Sequence, residues 1–88
     1  MRVSTDKSDP GFPKYAELVS DGYTIVVRLN GVAIPGVITA DEEAGEVLAH
    51  RFTDEGNIVY AYGQFVYDRL RGDVKVEVYR QNDERILH

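Results

Sequence analysis

An Asn-Gly pair set between two apolar runs restricts this chain more than any other feature. Tyr23, Ile25, Val27 and Leu29 alternate with Thr24, Val26 and Arg28; Asn30-Gly31 follows, and then Val32-Ala33-Ile34. Alternation with a period of two sends successive side chains to opposite faces of a strand. The tightest hairpin turns need positive φ at their central residues, which Asn and Gly adopt at little cost, and their twist matches that of the flanking strands. The pattern predicts that residues 23–29 pair antiparallel with residues 32–39, with Pro35-Gly36 as a bulge or edge kink in the second strand. The chain belongs among small β proteins.

The same grammar runs on to residue 79. Asp41-Glu42-Glu43-Ala44-Gly45 is a polar turn, and residues 46–52 read as a strand with Val47 and Ala49 opposed to Leu48, His50 and Phe52. Asp54-Glu55-Gly56-Asn57 is a second turn, and strands 58–62 and 64–70 are separated at Gly63. Arg71-Gly72-Asp73 turns into a last strand in which Val74, Val76 and Val78 alternate with Lys75, Glu77 and Tyr79. About five to six short strands with closely spaced turns imply an all-β fold, a small antiparallel sandwich or a partly open barrel. Residues 1–22 are richer in turn and linker types and read as an extended polar arm that another chain holds. Within it Tyr15, Leu18 and Val19 have helical spacing, enough for a single turn over residues 14–19. The expected organisation is an arm over 1–22, a β domain over 23–80 and a polar tail over 81–88.

Size and charge bound the function. A chain of 88 residues makes one domain and buries roughly 60% of its unfolded surface, which leaves a lone core marginal. With no cysteine, and with His50 and His88 the only imidazoles, disulfides and a structural metal are not the remedy. Self-association or docking on a partner is. A net charge of −5 lacks the basic footprint of a general nucleic-acid binder. No apolar run is long enough to cross a bilayer and no signal peptide opens the chain, so the expectation is synthesis in a cytoplasm.

No motif for catalysis, a cofactor or a metal stands out, and none is expected. Asp41, Glu42, Glu43 and Glu46 could offer oxygens to Ca²⁺, but the alternate-position ligand loop is absent and a solvated turn accounts for them. Two carboxylates for glycoside hydrolysis would need a cleft and a stacking platform, and there is no Trp. His50 reads as a partly buried sheet residue. Arg71-Gly72-Asp73 matches an adhesion tripeptide, yet a chain-turning Gly explains it. The aromatic group Tyr60, Tyr62, Phe65 and Tyr67 could stack bases, but basic and acidic residues balance over 66–85. Core packing explains about half of these rings and protein contact the rest, because Tyr and Arg carry interface hot spots. The candidate interface residues are Tyr60, Tyr62, Tyr67, Arg69 and Arg71, with Phe12 and Tyr15 in the arm.

The runs Arg28-Leu29-Asn30-Gly31-Val32, Ala40-Asp41-Glu42-Glu43-Ala44-Gly45-Glu46-Val47, Asp54-Glu55-Gly56-Asn57 and Arg69-Leu70-Arg71-Gly72-Asp73-Val74-Lys75-Val76 resemble a group of short β-rich proteins encoded by tailed bacteriophages and prophages. In that group an "LDGV" hairpin precedes an acid-rich turn ending in Gly, a "D-x-x-G" turn and a closing "R-x-G-x-V-x-I" strand. The resemblance spans about residues 24–78 and rests on turn signatures, so it carries over no active-site residue. It departs in lacking the Cys that some relatives place after the hairpin. It implies a phage setting: a non-enzymatic virion structural or assembly protein, such as a head decoration, head–tail joining or capsid-stabilising subunit. The partners would be other phage structural proteins or further copies of the chain, with no nucleic acid, membrane or small-molecule substrate. The alternative is a small phage-encoded inhibitor of a host enzyme or defence complex.

Overall fold

Valine and alanine build the centre of the molecule, and they come from two antiparallel sheets. The computed structural model describes residues 1–80. Sheet A runs in the order β1 (Arg2–Ser4), β4 (Val37–Asp41), β5 (Glu46–His50), β8 (Tyr67–Arg71). Sheet B runs β3 (Val32–Ala33), β2 (Tyr23–Leu29), β9 (Val74–Arg80), and a separate hairpin joins β6 (Tyr60–Ala61) to β7 (Gln64–Phe65). Val3, Ala40, Val47 and Ala49 from sheet A meet Val27 and Val74 from sheet B, with Ile25, Leu29, Leu70 and Val76 around them. Small side chains on sheet A leave room for the larger ones opposite. The fold is a small all-β, sandwich-like one, and the sheets do not close into a barrel.

The Asn30-Gly31 turn forms as expected, with φ of +51° and +85° and Leu29 opposite Val32. Its second strand is much shorter than residues 32–39. After the Ile34 N–H donates to the Val27 carbonyl (2.9 Å), the chain crosses at Pro35-Gly36 to the other sheet. Gly36 takes φ +65°, and a Cβ there would lie 2.8 Å from the Phe52 ring, so only glycine fits this crossing. Residues 37–41 then pair with β1 and β5. The main partner of β2 is β9, in unbroken register from Tyr23↔Arg80 to Leu29↔Val74.

The polar arm is not an arm. Residues 2–4 are the edge strand of sheet A, in register from Arg2↔Asp41 to Ser4↔Thr39. Val3 and Ser4 are buried, and the Ser4 hydroxyl bonds that of Thr39 at 2.7 Å. Residues 12–20 form α1 (Phe12–Ser20), longer than one turn. Pro13 lies in its first turn, where no donor is needed. Gly22 ends it at φ +86°, with its N–H on the Val19 carbonyl. Tyr15 and Leu18 pack against the core. What holds the segment is its own domain, because Val3 finds Ala40 and Arg2 finds Asp9 and Asp41. The boundary set at residue 22 dissolves, and the expected tail over 81–88 lies outside the described residues.

Candidate protein-binding face

Cross-strand register decides which side chains share the outer face of sheet A. Glu46, Leu48 and His50 of β5 stand directly opposite Arg71, Arg69 and Tyr67 of β8. Val47 and Ala49 oppose Leu70 and Asp68 on the inner face. The alternation places Tyr67, Arg69 and Arg71 together, all exposed, and sends Leu70 to the core.

Above this face the sheet divides. The Arg51 N–H donates to the Val66 carbonyl, the Val59 N–H to the Arg51 carbonyl and the Val66 N–H to the Val59 carbonyl (2.8–3.1 Å). At this three-way junction β5 exchanges its partner β8 for residue 58, through an isolated Phe52↔Ile58 bridge. Residues 58–66 leave as a hairpin that packs only weakly on other elements. Tyr60 and Phe65 are cross-strand partners, and their rings meet edge-on at 5.1 Å. Phe65 meets His50 edge-on at 5.5 Å, and His50 meets Tyr67 at 5.0 Å. The result is a continuous strip, Tyr60–Phe65–His50–Tyr67, that runs into Arg69 and Arg71. Aromatic pairs at such distances are worth about 0.5–1.5 kcal/mol beyond the area they bury. Even so, Tyr60, Phe65 and Tyr67 keep roughly half of their surface exposed.

Two departures from economy sit on this face. Tyr62 forms the hairpin tip with Gly63 at φ +53° and +79°, a left-handed conformation that bulky side chains resist. Its ring is fully exposed and rests on nothing. His50 Nδ1 is buried without a hydrogen-bond partner, alone in this among the described residues. An orphaned polar atom costs about 1–3 kcal/mol.

The charges are uneven. Arg69 and Arg71 both lean on one carboxylate oxygen of Glu46, at 3.5 and 3.2 Å, with their side chains 63% and 73% exposed. Two guanidiniums share one carboxylate, so this margin carries an unmatched positive charge. Toward β1 the face turns acidic, with Asp9 and Asp41 gripping Arg2 at 2.7 and 3.0 Å. The Arg2 guanidinium and the Gly11 N–H hold the Asp9 carboxyl down at about 2.

Of the sequence candidates, the structure brings together Tyr60, Tyr67, Arg69 and Arg71, with Tyr62 at the tip. Phe12 and Tyr15 are not part of this face: both lie on α1, their rings 6.3 Å apart, and Tyr15 serves the core. Phe65, grouped with these rings in the sequence but not among the interface candidates, joins the face, and so does His50, whose place opposite Tyr67 in the β5–β8 register carries the signal. The acidic turn is dispersed among structural tasks. Asp41 accepts the Ala44 N–H and an Arg2 bond, Glu42 accepts the Val76 N–H, Glu43 meets the Met1 amine, and Glu46 serves the two arginines. The Arg71-Gly72-Asp73 tripeptide is the β8–β9 corner, where the Gly72 N–H donates to Gly45 and the Asp73 N–H to the Asn30 carboxamide. A cavity of about 340 Å³ lies elsewhere, in the seam beneath Tyr15. Val3, Ile25, Ile34 and Val37 line it, with no carboxylate, imidazole or amine.

Set against protein families, curated proteins and solved structures, the chain matches none of them. The geometry of this face is what a functional reading rests on.

Proposed function

We propose that this protein is a non-enzymatic binding subunit that grips another protein with the aromatic–arginine face of β8 and the 58–66 hairpin. One observation carries the reading. Tyr60, Phe65 and Tyr67 form a continuous ring strip left half exposed, extended by a fully exposed Tyr62 at a strained turn. A fold that needed these rings only for its core would cover them. An exposed aromatic patch beside arginine has the composition of an interface hot spot.

The setting we adopt is the phage particle, with the protein as a virion structural or assembly component, and its support is the resemblance of the four turn signatures. The N-terminal segment lends that reading no support, since its own domain holds it. The same observation favours a second reading, a freely diffusing inhibitor of a host enzyme or defence complex, because a self-contained fold needs no neighbour to order its first residues. Mass spectrometry of particles purified from a host carrying the gene separates the two. A virion component is present at a fixed stoichiometry, and its incorporation falls when Tyr60, Tyr62 and Tyr67 are replaced by Ala. Absence from particles, with recovery on a host enzyme, decides for the inhibitor. Incorporation indifferent to all three substitutions rejects this face.

A further inference from the structure

We propose that the face takes its partner as an added β-strand. The partner segment pairs along β8 and carries acidic residues opposite Arg69 and Arg71 and an apolar residue opposite Tyr67. This rests on the binding reading above and goes further, to the chemistry of what is bound.

The backbone argument comes first. The Arg51 N–H donates to the Val66 carbonyl and the Gly72 N–H to the Gly45 carbonyl. Even-numbered residues of β8 therefore turn their backbone groups toward β5, and Tyr67, Arg69 and Arg71 turn theirs away. Among the described residues β8 ends sheet A and these groups find no partner. Two other margins of the fold are each blocked at one point. On the outer side of β1 the Ser4 N–H donates to the Gly11 carbonyl. On the outer side of β9 the Val76 N–H donates to the Glu42 carboxylate at 2.9 Å. An open row of donors and acceptors is a template for one more strand.

Charge then selects the occupant. The side chains flanking the open row are Tyr67, Arg69 and Arg71, with only Glu46 to answer the two guanidiniums. An incoming strand whose alternate residues are carboxylates supplies the missing negative charge. An apolar ring one step further stacks on Tyr67 within the strip. A second copy of this chain is the wrong occupant. The symmetric register that uses all of β8 sets Arg69 opposite its own counterpart, and like charges directly across a ladder destabilise it. The acidic ground around Arg2 confines the partner to the β8 margin.

The test uses the full-length protein and four peptides. They are acetyl-Ser-Glu-Thr-Glu-Thr-Phe-Ser-amide, the same peptide with Lys for both Glu, the acidic peptide N-methylated at Glu, Glu and Phe, and the acidic peptide N-methylated at the two Thr. Fluorescence anisotropy of labelled peptide gives affinity, and amide exchange reports protection on β8. The expected result is saturable binding of the acidic peptide, at least about tenfold tighter than the lysine peptide and weakened by salt. Amides of Tyr67, Arg69 and Arg71 become protected. N-methylation at the three positions abolishes binding, whereas N-methylation at the two Thr does not. The double variant Arg69→Glu, Arg71→Glu inverts the preference toward the lysine peptide. The inference is overturned if the acidic peptide does not bind, if both charge types bind alike, or if backbone methylation is without effect. It is equally overturned if the protein alone dimerises with its β8 amides protected, since a second copy then fills the edge. Particle incorporation that still depends on Tyr60, Tyr62 and Tyr67 while these peptide tests fail leaves the binding reading standing and removes only strand addition.

Discussion

Asn30 and Tyr62 occupy the same place in two turns of one kind, at φ +51° and +53°, each followed by a left-handed glycine. Asn30 belongs there twice over. Its conformation is cheap for an Asn, and it binds the next corner through the Asp73 N–H on its carboxamide and its own N–H on the Asp73 carbonyl. Tyr62 has neither reason. Replacing it with Asn is expected to raise stability by about 0.5–1 kcal/mol in thermal or urea unfolding, because Asn visits the left-handed region more readily. Partner binding should fall at the same time. An unchanged midpoint would mean that the turn does not strain Tyr62. His50 makes the complementary case. Phe at this position keeps a ring between Phe65 and Tyr67 and removes the orphaned Nδ1, so a gain of about 1 kcal/mol is expected with binding intact. A loss of binding instead would assign the imidazole a direct part in recognition.

The 58–66 hairpin can be shortened without disturbing the ladder that carries it. Val59 and Val66 are already hydrogen-bonded at 3.1 Å, and in an antiparallel pair such contacts recur every second residue. Substituting Asn-Gly for residues 60–65 therefore leaves Val59 and Val66 flanking a two-residue turn with the right pairing. The shortened protein should unfold in one cooperative step near the parent midpoint while losing its partner. Unfolding at a much lower midpoint would show that the hairpin supports the core. At the other margin, deleting residues 1–4 should abolish cooperative folding, since it strips Val3 from the core and leaves β4 an open edge; a fully folded truncation would restore the arm. These elements also show how far sequence carries. Periodicity did separate the faces of β2, β9 and β5, where Ile25, Val27, Val74 and Val76 lie inward and Val47 and Ala49 oppose Leu48 and His50. It does not name a neighbour. The pairing of β2 with β9 rather than with residues 35–39, and the membership of Arg2–Ser4 in sheet A, depend on contacts between distant segments whose patterns look alike. In β1 only Val3 is apolar, too little for any local signal. Pro13 and Gly22 bracket α1, but three apolar residues at helical spacing predicted no more than a turn.

Carboxylates brace the periphery of each sheet, and one of them, Glu42, ties sheet A to sheet B. Asp9 and Asp41 hold Arg2, Asp68 holds Arg51, Glu77 holds Arg28 and Glu42 caps the Val76 N–H. Every one of these carboxyls is shifted below its ordinary value, by a bonded guanidinium or by a backbone N–H. For Asp9 the fall is from 3.8 to about 2, owed first to Arg2 and then to the Gly11 N–H. The sign follows from proton counting. Between these two values the unfolded chain binds a proton at Asp9 that the folded chain does not, so stability rises with pH across that window and is lost as pH falls through it. Above pH 4 the contribution is complete, and below pH 2 it is gone. With the other carboxyls shifted in the same direction, the molecule should denature in acid more steeply than its thin core alone would dictate. Asp9→Asn isolates one share of that slope. The variant should be less stable than the parent at pH 7, because the charge-assisted bond to Arg2 is weakened. The difference should shrink as pH approaches 2, where the parent has lost the same charge. Urea unfolding of both proteins at a series of pH values measures this directly. Two parallel curves over that range would show that Asp9 titrates alike in the folded and unfolded chains, and that its pair with Arg2 does nothing to hold β1 in place.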